Sequence, residues 1–392
     1  MAHYSPELIS CVYRAYPGVH IDTLTSCPVE PTEVPAGFKP VFLSHYGRHG
    51  SRFLLEDSNY TNLVRDFQSQ QLTADGRELL RRLRIAAQQA VGRGGDLTPL
   101  GEEQHRGIAE RMYERYPALF KDDASLMAYA STSRRCMMSM MAFCERLKEL
   151  NPDMLIRREV AQRHMAFICA DTPKQRSLML EDTQARRAYR DFAKKNRKTE
   201  DFCARYFAHP QNVKEPHVVM EQLYFLAQDM QDCGRPTELL SFFTSDELYA
   251  IWRVKNAQIY LSNGDSPLSK GYPAEASDSL LKHIIHDADD ALQSQRVGAT
   301  LRFGHDTCLM RLLARMKVKE CCPACSDMER LEEQWQDFNV TPMAANLQLV
   351  FYQNKHGRVL VHVLLNEREV HFDFPSQYAP YYDWEQLKSY WQ

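Results

Sequence analysis

At 392 residues, 44% hydrophobic and 25% charged, the chain has the make-up of a globular protein that buries a sizeable core, with room for two domains or one domain carrying a large insertion. A formal net charge of -3 excludes the global basic field of a nucleic-acid binder, so any anion site has to be built locally. No stretch approaches the roughly 18 apolar residues of a membrane span, and the opening MAHYSPELIS has neither the basic start nor the apolar centre of a signal peptide.

Residues 1–39 read as an irregular arm laid on the surface, with Pro17, Pro28, Pro31 and Pro35 around Cys11 and Cys27. The apolar run Val41–Leu43 reads as a buried strand, and it leads into Tyr46, Gly47, Arg48, His49, Gly50, Ser51 and Arg52. Two guanidiniums flank one imidazole there. Arginine offers a planar fork of donors to phosphate or carboxylate, and a histidine among cations is pushed towards its neutral, nucleophilic form. Gly47 and Gly50 are expected to let the backbone turn sharply and approach a ligand.

Thr73 to Val91 predicts a helix with Leu79, Leu80, Leu83, Ala86, Ala87 and Ala90 on one face. Gly92 to Asp96 is a connector, since no Gly-Lys-Ser/Thr follows it. Thr98 and Pro99 open a further helix, as N-cap and first-turn proline. Leu126–Ala130 reads as a second buried strand, ending in Ser131 to Arg135, and a helix with Cys136, Met140, Phe143, Cys144 and Leu147 on its inner face follows. Arg135 stands at the strand-to-helix junction, where helix N-termini favour anions; alone it reads more readily as a cap or a surface charge.

From 150 to 295 the pattern is helices and long loops without a convincing strand. Seven basic residues gather between Arg186 and Lys198, as a solvated face or as part of an anionic channel, and Leu280–Leu292 is an amphipathic helix. Strands return at Ala299–Phe303, Leu347–Tyr352 and Val359–Leu365. The first of these ends in Gly304, His305 and Asp306 before a helix over 308–316. By itself Asp306 reads as a helix cap and His305 as a histidine in a polar pocket. Cys321, Cys322 and Cys325 have spacing open to a redox pair, half a zinc site, a loop disulfide or free thiols.

The architecture expected is an α/β mixed-sheet domain with helices on both faces, formed by residues 1–149 and 296–392. A mostly helical lid domain, 150–295, interrupts it. Three strand ends would then converge on one site with Arg48, His49 and Arg52, then Arg135, then His305 and Asp306: a phosphate cage, a nucleophile and an acid.

RHGSR at 48–52, LTPLGEEQ at 97–104, ASTSRRCMMSMMAF at 130–143 and FGHDT at 303–307, in this order, resemble the histidine acid phosphatase superfamily of phytase type. PMAANLQLVFY at 342–352, LLNE at 364–367 and PYYDW at 380–384 are most similar to its bacterial multiple inositol polyphosphate phosphatase branch. Two positions depart from the pattern. Phe53 and Leu54 stand where many members continue with proline, and the third motif has His-Asp-Thr, the form of phytases and acid phosphatases, where that branch has His-Ala-Glu. The resemblance implies the histidine phosphatase fold and hydrolysis of myo-inositol hexakisphosphate and related phosphates, or else a general acid phosphatase on sugar phosphates. It implies His49 as the phosphate-accepting nucleophile, Arg48, Arg52, Arg135 and His305 as the phosphate pocket, and Asp306 as the proton donor. No metal or organic cofactor is expected. Nor is a nucleic-acid or membrane partner; a monomer of periplasmic or secreted location is.

Overall fold

The computed structural model describes residues 4–6, 8–16, 31–121, 124–169, 177, 181–197, 199–235 and 238–391. Pro17, Cys27 and Pro28 of the expected arm, and Lys198 of the basic run, lie outside the described residues. Strand β1 is Phe38–Arg48, and from Phe42 onward every residue is buried, so the strand delivers Arg48 directly from the core. Helices α1 (Ser58–Gln68) and α2 (Ala74–Ala90) follow, α2 opening at Thr73, whose hydroxyl accepts from the Gly76 amide. Helix α3 (Pro99–Arg115) opens the same way, with Thr98 accepting from the Gly101 amide and Pro99 in the first turn. Strand β2 (Ser125–Ala130) leads into α4 (Arg134–Leu150).

The segment after residue 150 is not all helix and loop. Strand β3 (Leu155–Glu159) pairs in parallel with β2 and forms one edge of the sheet. It reads LIRRE and is half to fully exposed throughout, so an edge position removed the apolar signal that a buried strand carries. Helices α5 (Gln184–Asn196), α6 (Glu200–Tyr206), α7 (Pro216–Asp232), α8 (Ser245–Asn263) and α9 (Asp278–Gln293) come next. Strand β4 (Gly298–Gly304), helix α10 (Asp306–Met316), strands β5 (Asn346–Asn354), β6 (Val359–Leu365), β7 (Arg368–Glu369) and β8 (Tyr381–Asp383), and helix α11 (Trp384–Trp391) complete the chain.

The sheet order is β3-β2-β4-β1-β5-β6-β7, with β8 pairing β6. Pairs β2/β3, β2/β4 and β1/β4 are parallel, whereas β1/β5, β5/β6, β6/β7 and β6/β8 are antiparallel. It is the expected mixed sheet, covered on both faces. Phe42, Phe351 and Val363 pack towards α9 and α10 through Ile284, Ala288, Leu309 and Leu313. Leu43, Leu301 and Leu364 pack towards α3 and α4 through Ile108, Met112, Phe143 and Leu147. The strands alternate apolar residues to both sides for this reason.

A separate core gathers α1 and α2 with α6, α7 and α8, through Leu63, Phe67, Leu79, Leu83, Phe202, Leu223 and Trp252. The helical unit is thus assembled from two stretches of chain, one of them directly after the RHGSR loop. Among the described residues no helix is long and apolar enough to cross a membrane.

Candidate active site

The parallel strands β1, β2 and β4 all end on one side of the sheet, and each brings its polar residues there. The Arg48 amide donates to Ala345 O at 2.7 Å, and its wholly buried guanidinium donates through Nη1 to Thr341 O at 2.7 Å and to Val12 O. His49 is held by its backbone: its amide donates to Gly304 O at 3.0 Å and its carbonyl accepts from the Ala344 amide at 2.9 Å. Its Nδ1 lies 2.9 Å from Gly50 O. A carbonyl only accepts, so Nδ1 carries the proton and Nε2 keeps its lone pair.

Beneath this loop lies the LTPLGEEQ stretch. Ser51 O accepts from the Thr98 amide at 2.9 Å and from its hydroxyl at 3.1 Å, the Ser51 amide donates to Gln104 Oε1 at 2.9 Å, and Gln104 Nε2 donates to Ser51 Oγ at 2.9 Å. The glycines do a different job from the one expected. Gly47 lies inside β1, where a Cβ would meet the His45 ring at 2.7 Å, and a Cβ on Gly50 would come within 2.4 Å of Gly101 O. A Cβ on Gly101 would lie 2.3 Å from Ser51 O. Two backbones touch here, and neither has a flexible end to yield. Gly101→Ala is therefore expected to cost about 1–3 kcal/mol of stability and to displace Ser51, lowering both the unfolding midpoint and kcat. An unchanged midpoint would show that the loop is free to move.

Arg135, in the first turn of α4, donates through Nη2 to His305 Nδ1 at 3.3 Å. Guanidinium has no acceptor, so His305 carries its proton on Nε2, which lies 3.1 Å from Ser131 Oγ at the end of β2. The His49 and His305 rings meet edge to face, with centroids 5.7 Å apart. Asp306 Oδ2 lies 3.4 Å from Arg48 Nη2, and Oδ1 accepts from the Thr307 amide at 2.8 Å. His305, not Asp306, occupies the N-cap position of α10. Arg52 donates to Phe53 O at 2.9 Å and sits over the Tyr13 ring at 5.1 Å. In Arg48, Arg52 and Arg135 alike, Nε is buried without a hydrogen-bond partner among the described residues. All six residues singled out from the sequence are brought into one constellation.

The electrostatics follow from burial and crowding of positive charge. Burial, then Arg48, Arg135 and Arg52, hold His49 well below the usual histidine range, so it is neutral. Burial and Arg135 push His305 down to about 4. For Asp306, burial pushes upward, but Arg48, the Thr307 amide and His305 outweigh it and hold the carboxyl below its usual value. The protein alone therefore keeps Asp306 ionised.

Sequence reasoning missed Ser131, Tyr13 and above all Asp229 and Asp232, two completely buried acids of α7. The available signal was a helix apolar around most of its circumference that nonetheless carries two acids three apart. Cys321, Cys322 and Cys325 are free thiols. Among the described residues no group of three or more His, Cys, Asp or Glu is arranged to hold a metal ion. The basic run is largely neutralised at the surface: Arg187 and Arg190 pair with Asp182, Lys195 with Glu329 and Arg197 with Glu221.

The fold is shared with solved enzymes of low sequence identity. A multiple inositol polyphosphate phosphatase of Bifidobacterium longum, in complex with inositol hexasulfate, superposes with a TM-score of 0.83 at 17% identity, covering 98% of this chain and 97% of that one. The phytase of D. castellii gives 0.68 at 14% identity over 98% and 84% of the two chains. The Hafnia alvei phytase gives 0.58 at 16% identity over 92% and 97%. No curated protein matches the chain. The family model of the histidine phosphatase superfamily (branch 2) matches residues 47–366, a span that opens one residue before Arg48 and takes in all three strand ends. The chain belongs to this superfamily and is an enzyme of the phosphatase class.

Proposed function

We propose that the protein hydrolyses phosphomonoesters through a phosphohistidine at His49, with myo-inositol hexakisphosphate and related inositol polyphosphates as substrates. The observation that carries this reading is the convergence of one neutral imidazole, its Nε2 unprotonated, on three guanidiniums and a second imidazole, with a carboxyl beside them. Nε2 of His49 attacks phosphorus in line, while Arg48, Arg52, Arg135 and His305 hold the equatorial oxygens. The ester P–O bond breaks as the P–N bond forms, and the departing alkoxide takes the proton of Asp306. Water then attacks phosphorus, the P–N bond breaks, and the water's proton returns to Asp306.

For Asp306 to hold that proton, its carboxyl has to rise from the low value set by Arg48. A bound phosphate does this twice over, by drawing on the Arg48 guanidinium and by repelling the carboxylate, and an acidic optimum follows. The helical unit, including the part of 150–295 that packs with α1 and α2, is assigned the role of a lid over the cage. The choice of an inositol polyphosphate is supported by the order of the four motifs and by the likeness to an enzyme solved with inositol hexasulfate.

Phosphate release from phytate and from p-nitrophenyl phosphate, each with and without excess chelator, tests the reading. Phytate is expected to have the higher kcat/KM by at least about tenfold. Chelator is expected to leave both rates unchanged, since guanidinium and imidazole supply the positive charge that metals provide in two-metal phosphatases. Turnover of p-nitrophenyl phosphate with phytate untouched would move the substrate to small phosphomonoesters such as sugar phosphates. Loss in chelator, restored by zinc or magnesium, would overturn the metal-free cycle.

A further inference from the structure

Helix α7 ends directly behind the RHGSR loop, and it turns Asp229 and Asp232, three residues apart on one face, towards that loop. Asp232 Oδ1 accepts from Ser51 Oγ at 2.7 Å. Asp229 Oδ2 accepts from the Tyr60 hydroxyl at 2.8 Å and from the Leu54 amide at 3.3 Å. Ser51 and Leu54 bracket Arg52, so the two acids hold both sides of the segment that carries this guanidinium. Their remaining oxygens, Asp229 Oδ1 and Asp232 Oδ2, are buried and have no hydrogen-bond partner among the described residues. Neither acid is exposed at all.

Two full charges with two unpartnered oxygens in such a place are costly. Protonation removes these charges, and the two carboxyls then ionise one after the other. The charged groups facing the pair are cage residues: Arg52 acts on both acids and Arg48 on Asp232. The other titratable groups around it stay neutral. Burial and then Asp229 push Tyr60 on α1 upward, burial and Asp229 push Tyr13 on the N-terminal segment upward against the pull of Arg52, and burial with both acids pushes Cys233 at the end of α7 upward, with Arg235 and Arg93 acting on it from outside.

We propose that Asp229 and Asp232 are positioning residues that stand uncharged beneath the phosphate cage in acid, and that loss of the first of their two protons weakens oxyanion binding. The proposal rests on the reading of Arg48, Arg52 and Arg135 as an oxyanion cage. Uncharged, the pair keeps the loop in place through its hydrogen bonds and leaves the Arg52 charge to the anion; singly charged, it draws on Arg52 and sets a negative charge under the bound anion. Burial, against the pull of Arg52, pushes Asp229 up to about 7, and burial together with Asp229 pushes Asp232 well above the carboxylate range. The groups inside the cage titrate lower, His305 at about 4 and His49 and Asp306 below their usual ranges. Around neutrality the acid pair is the part of the cage and its support that changes charge.

Inorganic sulfate is the probe, because it remains a dianion across the neutral range whereas phosphate itself titrates there. Its affinity for the full chain, measured by calorimetry from about pH 6 to about pH 8.5, is expected to fall about three- to tenfold as the pair loses the first of its protons. Asp229→Asn and Asp232→Asn are expected to bind with an affinity that does not change over this range. Tyr60→Phe removes a hydrogen bond that favours ionised Asp229, so it is expected to move the fall to higher pH; this variant carries the test if the asparagine variants do not fold. A flat profile in the wild type, an unchanged slope in folded asparagine variants, or an unmoved midpoint in Tyr60→Phe overturns the proposal while leaving the cage intact. Sulfate that binds at no pH overturns the cage reading and this proposal with it.

Discussion

His49→Ala is expected to abolish turnover, lowering kcat by at least about 10⁴-fold, while inorganic phosphate continues to bind in the variant. The expectation rests on how the residue is held. Its position comes from the backbone, through Gly304 O and the Ala344 amide, so removing the imidazole leaves those bonds in place and the loop folded. What disappears is the unprotonated Nε2, which burial and the surrounding arginines keep free of a proton by holding His49 well below the usual histidine range. The three guanidiniums remain, and they account for anion binding. Acid-quenched wild-type enzyme, mixed with labelled substrate, is expected to carry an acid-labile phosphohistidine that the variant lacks. Near-normal turnover in His49→Ala would remove the phosphohistidine from the mechanism.

What the sequence made legible follows from where each element lies in the sheet. Strands β1, β2 and β4 sit inside the sheet, β1 (from Phe42) and β4 buried on both faces and β2 on one, so each reads as an apolar run that stops abruptly at polar residues. Those abrupt stops are the three parts of the site. Strand β3 sits at an edge and three of its five residues are charged, so nothing in LIRRE announces a strand. Gly50 and Gly101 are easy to recognise as motif glycines, but their reason for being glycine is a contact between two backbones 51 positions apart, which no local pattern encodes. The same holds for the second core, where α1 and α2 pack against helices more than 100 residues later in the chain. Asp229 and Asp232 lie furthest from prediction. Their meaning depends on α7 passing behind the RHGSR loop, a tertiary fact, and a helix reading alone would treat them as solvated acids.

Asp306 shows how a residue with two readings is resolved only by an experiment that separates them. It caps in part, since Oδ1 accepts from the Thr307 amide, and it faces the cage, since Oδ2 lies 3.4 Å from Arg48. Asp306→Asn keeps an oxygen for the amide and places an NH2 near a guanidinium that two backbone carbonyls already hold, so the fold is expected to persist. The variant has no carboxyl proton to donate. Loss is then expected to depend on the leaving group: phytate, whose inositol alkoxide needs protonation, slows by about 10²–10⁴-fold in the phosphorylation step. p-Nitrophenyl phosphate, whose phenolate leaves unaided, is expected to slow by less than about tenfold. Single-turnover rates for both substrates at several pH values measure this directly. In wild type the phytate rate falls as rising pH strips the proton from substrate-bound Asp306, and in the variant that limb disappears. Equal losses on the two substrates would make Asp306 a structural cap and require another acid. Of the carboxylates that follow the RHGSR loop in sequence, Asp57 already accepts from the amides of Gly92 and Gly94, and Glu56 from the Ser58 hydroxyl. A steep dependence on leaving group therefore assigns the proton to Asp306 itself.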